Sequence, residues 1–246
     1  MAALQKILVI GVAVLTLTSH TVAAADLVVV TEAWAPYVYE DDEGLKGFDY
    51  EVMAAVFKRM GRTIEFRFYP WKRCLSLVRT KMVDAILDIG LTPERSKEMF
   101  FPDENISESI SVLFFLKGRP DTFDGLSDLT GLRIGTILGY VYSQEVIAAE
   151  NFTREPVRDI EQNFQKLISG RIDMFISNKN VGWFNAQKLG LLDKVDCTKK
   201  KISGGNNYLA FSLKPENEVM ATRFSNGLKT FKATSQYRRI LKKYGQ

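Results

Sequence analysis

The sequence is almost without histidine. Its single histidine, His20, lies within the first 25 residues. A chain without histidine after that point cannot build a Ser-His-Asp triad, a Cys-His dyad or a His-ligated metal site. Catalysis by carboxylates, lysine or tyrosine stays open. The composition therefore argues against the commonest hydrolase and metalloenzyme sites, and we expect neither a metal nor another cofactor.

Cysteine is also scarce, and basic residues form no block. Cys74 and Cys197 lie far apart in the sequence and form no CxxC motif. In an oxidising compartment they could form one disulfide or remain two buried thiols, and the sequence leaves both open. The formal charge is +4, and it falls to +3 without Lys6. Such a mild charge without Lys/Arg clusters argues against a nucleic-acid partner.

Long apolar runs are missing as well. Ile7 to Leu17 is too short to span a bilayer as a helix, and no later run resembles a span. Lys6 is the only charge before Asp26, and Ala23-Ala24-Ala25 supplies the small residues of a cleavage site. Residues 1–25 are therefore predicted to be a secretory signal peptide. We expect a periplasmic protein that is not embedded in the membrane.

Strands alternate with helices after the signal peptide. Residues 26–246 suffice for one large domain or two smaller lobes. A strand is predicted from Leu27 to Thr31, and a helix follows Gly47 with Asp49 as its cap. A polar stretch from Gly118 to Asp128 then precedes a second alternating block. This pattern predicts an α/β fold with mainly parallel sheets.

One segment suggests how an anion could be bound. Val83 to Ile89 has the pattern of a buried strand, and Gly90 follows it. Thr92 is a good N-cap, Pro93 suits the first helical position, and Arg95 then falls in the first turn. The free N–H groups, the Thr92 hydroxyl and the Arg95 guanidinium could hold a carboxylate together. Alternatively, Arg95 is solvated and paired with a neighbouring glutamate.

The order of six motifs resembles one known family. They are Ala35-Pro36-Tyr37-Val38-Tyr39, Gly44-Leu45-Lys46-Gly47-Phe48-Asp49, Pro70-Trp71, Val83-Asp84-Ala85-Ile86, Thr92-Pro93-Glu94-Arg95 and Gly170-Arg171-Ile172-Asp173. In this order and spacing the chain resembles the family 3 extracellular solute-binding proteins. These are the polar-amino-acid type of periplasmic receptor for ABC importers. The resemblance covers nearly all of residues 26–246.

The resemblance implies the two-lobed, type II periplasmic-binding-protein fold. Two crossover strands would join the lobes, and a central cleft would close on the ligand like a Venus flytrap. Lobe 1 would comprise residues 26–113 and 201–246, and lobe 2 residues 114–200. The implied partners are a small-molecule ligand and the membrane subunits of an ABC transporter, and the implied oligomeric state is a monomer.

The family's carboxylate clamp falls on Arg95 and Thr92 by the same resemblance. Gly90 stands where the family often has Ser or Thr, so one side-chain contact would be missing. The aromatic wall of the ligand site falls on Trp34 and Tyr37. These implied roles agree with the carboxylate site suggested by the segment itself.

The implied lobe 2 site departs further from the family. Its usual Gly-Thr-Thr or Gly-Ser-Thr turn reads Gly139-Tyr140-Val141, whose backbone N–H groups could still meet a carboxylate. Asn178 stands where the family commonly has the Asp that pairs with the ligand ammonium. An asparagine keeps an acceptor and loses the charge.

Three further residues are candidates with two interpretations each. Asp88 could replace the missing charge or pair with a cation of lobe 1. Trp71 could present a flat face to a cationic or ring-bearing ligand, or fill the core. Tyr140 could stack on the ligand or lie on the surface of lobe 2.

The sequence thus predicts a non-enzymatic receptor for a small carboxylate-bearing ligand, an amino acid or a derivative, taken up by an ABC transporter. A soluble sensor of the same ligand is one alternative. The other is an enzyme on the same scaffold that resembles cyclohexadienyl dehydratase. This alternative stays open because fold alone does not fix function. In such an enzyme Asp88 or Glu32 would act as general acid.

Overall fold

The structure is a computed structural model that describes residues 25–245. The predicted signal peptide falls on residues that lie almost wholly outside this range. Among the described residues are twelve strands and seven α-helices. The strands are β1 (Leu27–Thr31), β2 (Tyr39–Asp41), β3 (Gly44–Lys46), β4 (Ile64–Phe68), β5 (Ala85–Ile89), β6 (Met99–Phe100), β7 (Ser107–Leu116), β8 (Arg133–Ile137), β9 (Thr153–Val157), β10 (Met174–Asn178), β11 (Val195–Cys197) and β12 (Ser203–Ser212). The helices are α1 (Phe48–Arg59), α2 (Trp71–Arg79), α3 (Gln144–Ala148), α4 (Ile160–Ile168), α5 (Lys179–Lys188), α6 (Pro215–Lys232) and α7 (Ser235–Tyr244).

Ten of these strands form one large mixed sheet, in which β4-β1-β5-β12-β7-β10-β8-β9 are neighbours in this order, β6 pairs with β12 and β11 pairs with β7. Strands β2 and β3 form a separate two-stranded sheet. The pairs β1–β4, β1–β5, β8–β9 and β8–β10 are parallel, as the βαβ pattern predicts. Strands β7 and β12 run antiparallel to their neighbours, so the expectation of mainly parallel sheets holds only on the two sides of this central pair.

The two central strands connect the halves of the molecule. Each is ten residues long. Residues 107–111 of β7 pair with residues 203–207 of β12, and beyond this ladder the strands diverge into different neighbours. Strand β12 continues beside β5 and β6, whereas β7 continues beside β10 and β11. The predicted lobe boundaries at residues 113 and 200 stay predictions.

An apolar stripe of α1 is buried. Val52, Met53, Val56 and Phe57 are each at most 1% exposed and pack in one core cluster. Their spacing places them on one helix face, which is what an amphipathic helix needs to cover a sheet. A separate pair of apolar clusters, around Phe114 and around Ile134, packs the half that contains β8 and β10.

Two local predictions are wrong. Gly47, with φ +119°, is the N-cap of α1, and Asp49 lies inside the first turn and is fully buried. The helix predicted after Thr92 is a single 3-10 turn, Arg95–Lys97. It stops because β6 begins at Met99, which is buried and pairs with Ser212 of β12. Such a short turn has no helix dipole of useful size, so that part of the anion-binding argument does not hold.

Both cysteines are free thiols, Cys74 buried and Cys197 partly buried. In the stretch from residue 25 to residue 245, no helix combines the length and the apolar character that a bilayer crossing requires.

Candidate functional site

A cavity of about 450 Å³ lies where the two halves of the sheet meet. The segments that follow β1 and β5 line one side of it, and the turn after β8 and the end of β10 line the other. The paired section of β7 and β12 lines the region between them. Open α/β sheets bind ligands at the carboxyl ends of their parallel strands, so the topology itself builds this concavity. The volume is that of a site for one small molecule, since such sites measure roughly 300–1,000 Å³.

Arg95 supplies a cation to the cavity wall. It is only 6% exposed, and its Nη1 donates to the carbonyl oxygen of Gly90 over 2.9 Å. Among the described residues no carboxylate lies within salt-bridge distance of Arg95, and its other guanidinium N–H groups have no partner there. Burial, with a smaller contribution from Arg79, lowers the pKa of Arg95 to about 10. A desolvated, unpaired guanidinium favours an anion placed against it.

Aromatic side chains surround this cation. The Arg95 guanidinium carbon lies 5.9 Å from the ring centre of Trp71, which opens α2. Trp71 also donates from Nε1 to the carbonyl oxygen of Gly139 over 3.1 Å, so it bridges the two sides of the cavity. Trp34 lines the cavity too, with Tyr37 stacked behind it at a ring separation of 4.7 Å.

Eight of the ten residues predicted for the site line this cavity, and Tyr37 and Thr92 do not. Tyr37 is 1% exposed, and its hydroxyl accepts hydrogen bonds from Asn178 and Asn180. Thr92 lies in a neighbouring groove, where its Oγ1 accepts from the Arg95 backbone N–H over 3.2 Å. Thr92 therefore positions the turn that carries Arg95, and its hydroxyl oxygen is already engaged. The eight that line the cavity are Trp34, Trp71, Asp88, Gly90, Arg95, Tyr140, Val141 and Asn178.

Asn178 uses most of its amide within the protein. Its Oδ1 accepts from the backbone N–H groups of Asn180 and Val181 and so caps α5. Its Nδ2 donates to the hydroxyl of Tyr37 over 3.4 Å. Because the acceptor oxygen is already shared by two donors, Asn178 offers a ligand ammonium little more than the edge of a neutral amide.

Glu32 and Tyr140 form a hydrogen bond across the cavity. The Tyr140 hydroxyl donates to Glu32 Oε1 over 2.6 Å, between residues that are 108 positions apart in the sequence. Burial raises the pKa of Glu32 to about 6, and the hydrogen bond from Tyr140 opposes this rise. Sequence reasoning considered each residue alone, and nothing in the local pattern of either one indicates the pairing.

Asp88 and Asp49 form a second buried acidic feature. Both oxygens of Asp88 and Oδ1 of Asp49 are inaccessible to water and accept no hydrogen bond from a donor among the described residues. The other oxygen of Asp49 accepts from Ser107 Oγ over 2.8 Å. Burial, followed by repulsion from Asp49, raises the pKa of Asp88 well above its usual range. Sequence analysis missed Asp49, because its position in a helical pattern suggested a cap.

Polar groups of the central strands were also missed. Ser109 and Ser111 of β7, and Ser203 with Gly204 and Gly205 of β12, line the cavity. Serine and glycine in a strand have no pattern that marks a ligand site, and only the antiparallel pairing of β7 and β12 brings them together. No group of three or more His, Cys, Asp or Glu side chains within residues 25–245 could hold a metal ion.

Burial of the Glu32 carboxyl should make the stability of the protein depend on pH. The carboxyl of Glu32 has a raised pKa in the folded state, so its contribution to the free energy of unfolding is greatest below about pH 4.5 and falls as pH rises through about 6. A hydrogen bond to a charged group contributes about 1.5–3 kcal/mol. Tyr140→Phe should therefore destabilise the protein by about 1.5–3 kcal/mol at pH 8 and by less at pH 5. Urea unfolding at the two pH values measures this difference.

Tyr142→Phe is the matched control for this variant. The Tyr142 hydroxyl accepts from the Ile137 backbone N–H over 2.7 Å, so its removal leaves a neutral donor unpaired. Tyr142→Phe should lower the free energy of unfolding by the same amount at pH 5 and at pH 8. An equal cost of Tyr140→Phe at pH 5 and pH 8 would show that the ionisation of Glu32 does not govern the contact.

Sequence comparison relates the chain to known proteins. The family profile of bacterial extracellular solute-binding proteins, family 3, matches residues 27–246. A curated relative is the arginine-binding periplasmic protein of Mannheimia haemolytica, with 23% identity over 91% of this chain and 92% of the relative.

Solved structures share the fold. An ancestral arginine-binding protein bound to glutamine superposes with a TM-score of 0.76 and 25% identity, over 89% of this chain and 96% of the other. An ancestral amino acid-binding protein, described as a precursor of cyclohexadienyl dehydratase, superposes with a TM-score of 0.73 and 21% identity, over 89% and 95% of the chains. At 21% identity the second likeness concerns the fold alone. The type II, two-lobed architecture is thus common to this chain and these proteins.

Proposed function

The chain belongs to the bacterial extracellular solute-binding proteins, family 3, and from this premise we propose that it is a periplasmic receptor for a small carboxylate-bearing ligand, an amino acid or a derivative. The proposed receptor delivers its ligand to the membrane subunits of an ABC transporter. It acts as a monomer whose two lobes close over the ligand, and the closed form is the one that the transporter recognises.

The observation that carries this proposal is the unpaired, buried guanidinium of Arg95. A carboxylate against Arg95 forms charge-assisted hydrogen bonds and removes the cost of the desolvated cation. Trp34 and Trp71 provide apolar contact area around the carboxylate-binding point. Serines of β7 and β12 and the Gly139–Val141 turn add polar groups that fix orientation.

The proposed ligand class rests on size, charge and relatives. A cavity of about 450 Å³ suits a single amino acid better than a peptide. Relatives named as arginine-binding proteins match over most of the chain, which makes L-arginine the first ligand to test. Asn178 and Asp88 would face the ligand ammonium, with Asp88 as the acidic member of the two.

An enzyme on the same scaffold is the second candidate, and the environment of Glu32 favours it. A buried carboxyl with a pKa of about 6, hydrogen-bonded to a tyrosine, has the properties of a general acid. Such an enzyme would turn over a cyclohexadienyl substrate, whereas the proposed receptor binds its ligand and releases it unchanged.

The proposed function is tested by ligand binding and compaction together. Chain lacking residues 1–25 is titrated calorimetrically with the common L-amino acids and small carboxylates, and native mass spectrometry detects any co-purified ligand. We expect one ligand per chain, a smaller radius of gyration by X-ray scattering when it is bound, and no product. Closure buries the ligand between the lobes, which is the physical reason for the compaction.

Two outcomes would contradict the proposal. An unchanged radius of gyration and no binding heat across the whole panel would exclude an amino-acid receptor. Formation of product from a cyclohexadienyl substrate, abolished in Glu32→Gln, would replace the receptor by the enzyme.

A further inference from the structure

We infer that Asp49 and Asp88 share one proton in the ligand-free protein, and that the α-ammonium of an amino acid held by Arg95 drives this proton into solution. Ligand binding would then be coupled to proton release. This inference rests on the proposed function for its ligand, whereas the shared proton concerns the free protein alone.

The geometry requires a proton between the two carboxyl groups. Asp49 is fully buried, and three of the four carboxyl oxygens of the pair are inaccessible to solvent and have no donor among the described residues. Asp49 accepts from Ser107 of β7, which in turn accepts from Asn207 of β12. Asn207 precedes Tyr208, which pairs with Ile89 next to Asp88, so the strand pairing brings the two carboxyl groups together. Two ionised carboxylates are acceptors only, so a hydrogen bond between them exists only if one carries a proton. Like charges in contact without solvent would repel strongly, as in other paired carboxyl sites.

The proton belongs on Asp88 more than on Asp49. Asp49 keeps one stabilising donor, Ser107 Oγ, which itself accepts from Asn207 Nδ2 over 2.9 Å. Lys232 lies near Asp49 and favours its ionised form. Asp88 has no donor other than the shared proton, and repulsion from Asp49 and Glu32 disfavours its charge. Asp88 therefore donates and Asp49 accepts.

The backbone holds this pair at the edge of the cavity. Asp88 has φ +61°, a left-handed conformation that is strained for a residue with a Cβ. It lies in the cavity wall, two residues before Gly90, whose carbonyl oxygen binds Arg95. A carboxylate on Arg95 would place its α-ammonium next to this wall. The other charged or titratable groups that face the pair are Glu32, Tyr37, Tyr140, Lys232 and Tyr237.

The coupling follows from electrostatics at low dielectric. A cation buried beside the pair by lobe closure interacts with it far more strongly than it would in water. It favours the ionised form of Asp88, so the proton leaves the pair and passes to solvent as the ammonium binds. In the closed site the ligand carboxylate then faces Arg95, and the ligand ammonium faces an ionised Asp88.

The shared proton is tested first in the free protein. Infrared spectra at pH 7 should contain the carbonyl band of a protonated carboxylic acid, with a shift in D₂O. This band should be absent from Asp88→Asn, and also from Asp49→Asn, because an amide at position 49 removes the repulsion and its Nδ2 can donate to an ionised Asp88. Glu32→Gln should retain it. No difference between the wild type and either aspartate variant would overturn the shared proton.

Proton release is tested by calorimetry with L-arginine in buffers of different ionisation enthalpy. We expect about one proton released per ligand, and an affinity that rises with pH by up to about tenfold per pH unit wherever the pair is protonated in the free protein and ionised in the complex. Asp49→Asn should bind L-arginine without proton release and without this pH dependence.

The ligand supplies a further control, and the outcomes separate the two proposals. 5-Guanidinopentanoate lacks only the α-amino group of arginine and should release no proton. Binding of L-arginine without proton release would overturn the coupling and leave the receptor intact. No binding of any amino acid would reject the receptor and the coupling together, even if the infrared band is present. Thermal unfolding of each variant shows whether it is folded before its titration is interpreted.

Discussion

Replacing Arg95 by alanine is expected to weaken ligand binding by about 2–5 kcal/mol, which is the usual range for breaking one partner of a buried charge pair. The ligand carboxylate would then be desolvated without a partner. Arg95→Lys should also bind poorly, because an ammonium cannot reproduce the planar fork that holds a carboxylate with two hydrogen bonds. Calorimetric titration of both variants with the ligand identified for the wild type measures these losses.

The loss should not come from unfolding. Burial lowers the pKa of Arg95, which means that the folded protein holds this charge at a cost in free energy. Removal of an unpaired buried charge relieves that cost, so the free energy of unfolding of Arg95→Ala should be close to the wild-type value or above it. Arg95→Ala would thus weaken ligand binding without lowering the free energy of unfolding.

Arg73→Ala is the matched control. Arg73 lies on the exposed face of α2 with its guanidinium carbon 4.5 Å from the ring centre of Tyr69, and it does not line the cavity. Its removal changes the net charge by the same amount as Arg95→Ala. Equal losses of affinity in the two variants would show a general charge effect and would remove Arg95 from the site.

Replacing Gly47 by alanine is expected to cause a large loss in the free energy of unfolding. Gly47 has φ +119°, and an added Cβ would overlap the backbone of Tyr37 and Val38. The backbone N–H groups of Phe48 and Asp49 donate to the carbonyl oxygens of Pro36 and Tyr37, so this contact fixes the segment that carries Trp34. The strained conformation and the overlap should together cost about 3 kcal/mol or more. Urea unfolding followed by tryptophan fluorescence measures the loss.

Gly44→Ala separates the two contributions. Gly44 also has a positive φ, +103°, and an added Cβ there would have no atom within 4 Å. This variant should lose only the cost of backbone strain, about 1–2 kcal/mol. If both variants lose the same free energy, the close approach of Gly47 to Tyr37 contributes nothing to stability.

The family and the α/β fold were predictable from the sequence. Apolar patterns and turn residues are local signals, and they place β1, β5 and α1 close to where the structure has them. The order of the motifs indicated the solute-binding family, which the comparison confirms. Arg95 was a site candidate from the sequence, and the structure places it in the cavity wall next to Gly90, although the predicted helix is a 3-10 turn.

The sequence by itself thus determined the fold class and a cation near a strand end, because both depend on residues close together in the chain, and it determined the family through the order of its motifs. Only the tertiary structure decided what surrounds that cation. It buries Tyr37 behind Trp34, pairs Glu32 with Tyr140 and brings Asp49 against Asp88. These contacts join separate elements, so they depend on the register of β7 and β12 and on the conformation of the loops between elements. No local pattern of residues encodes those distances, which is why the acidic groups of the cavity could be assigned only after folding placed them together.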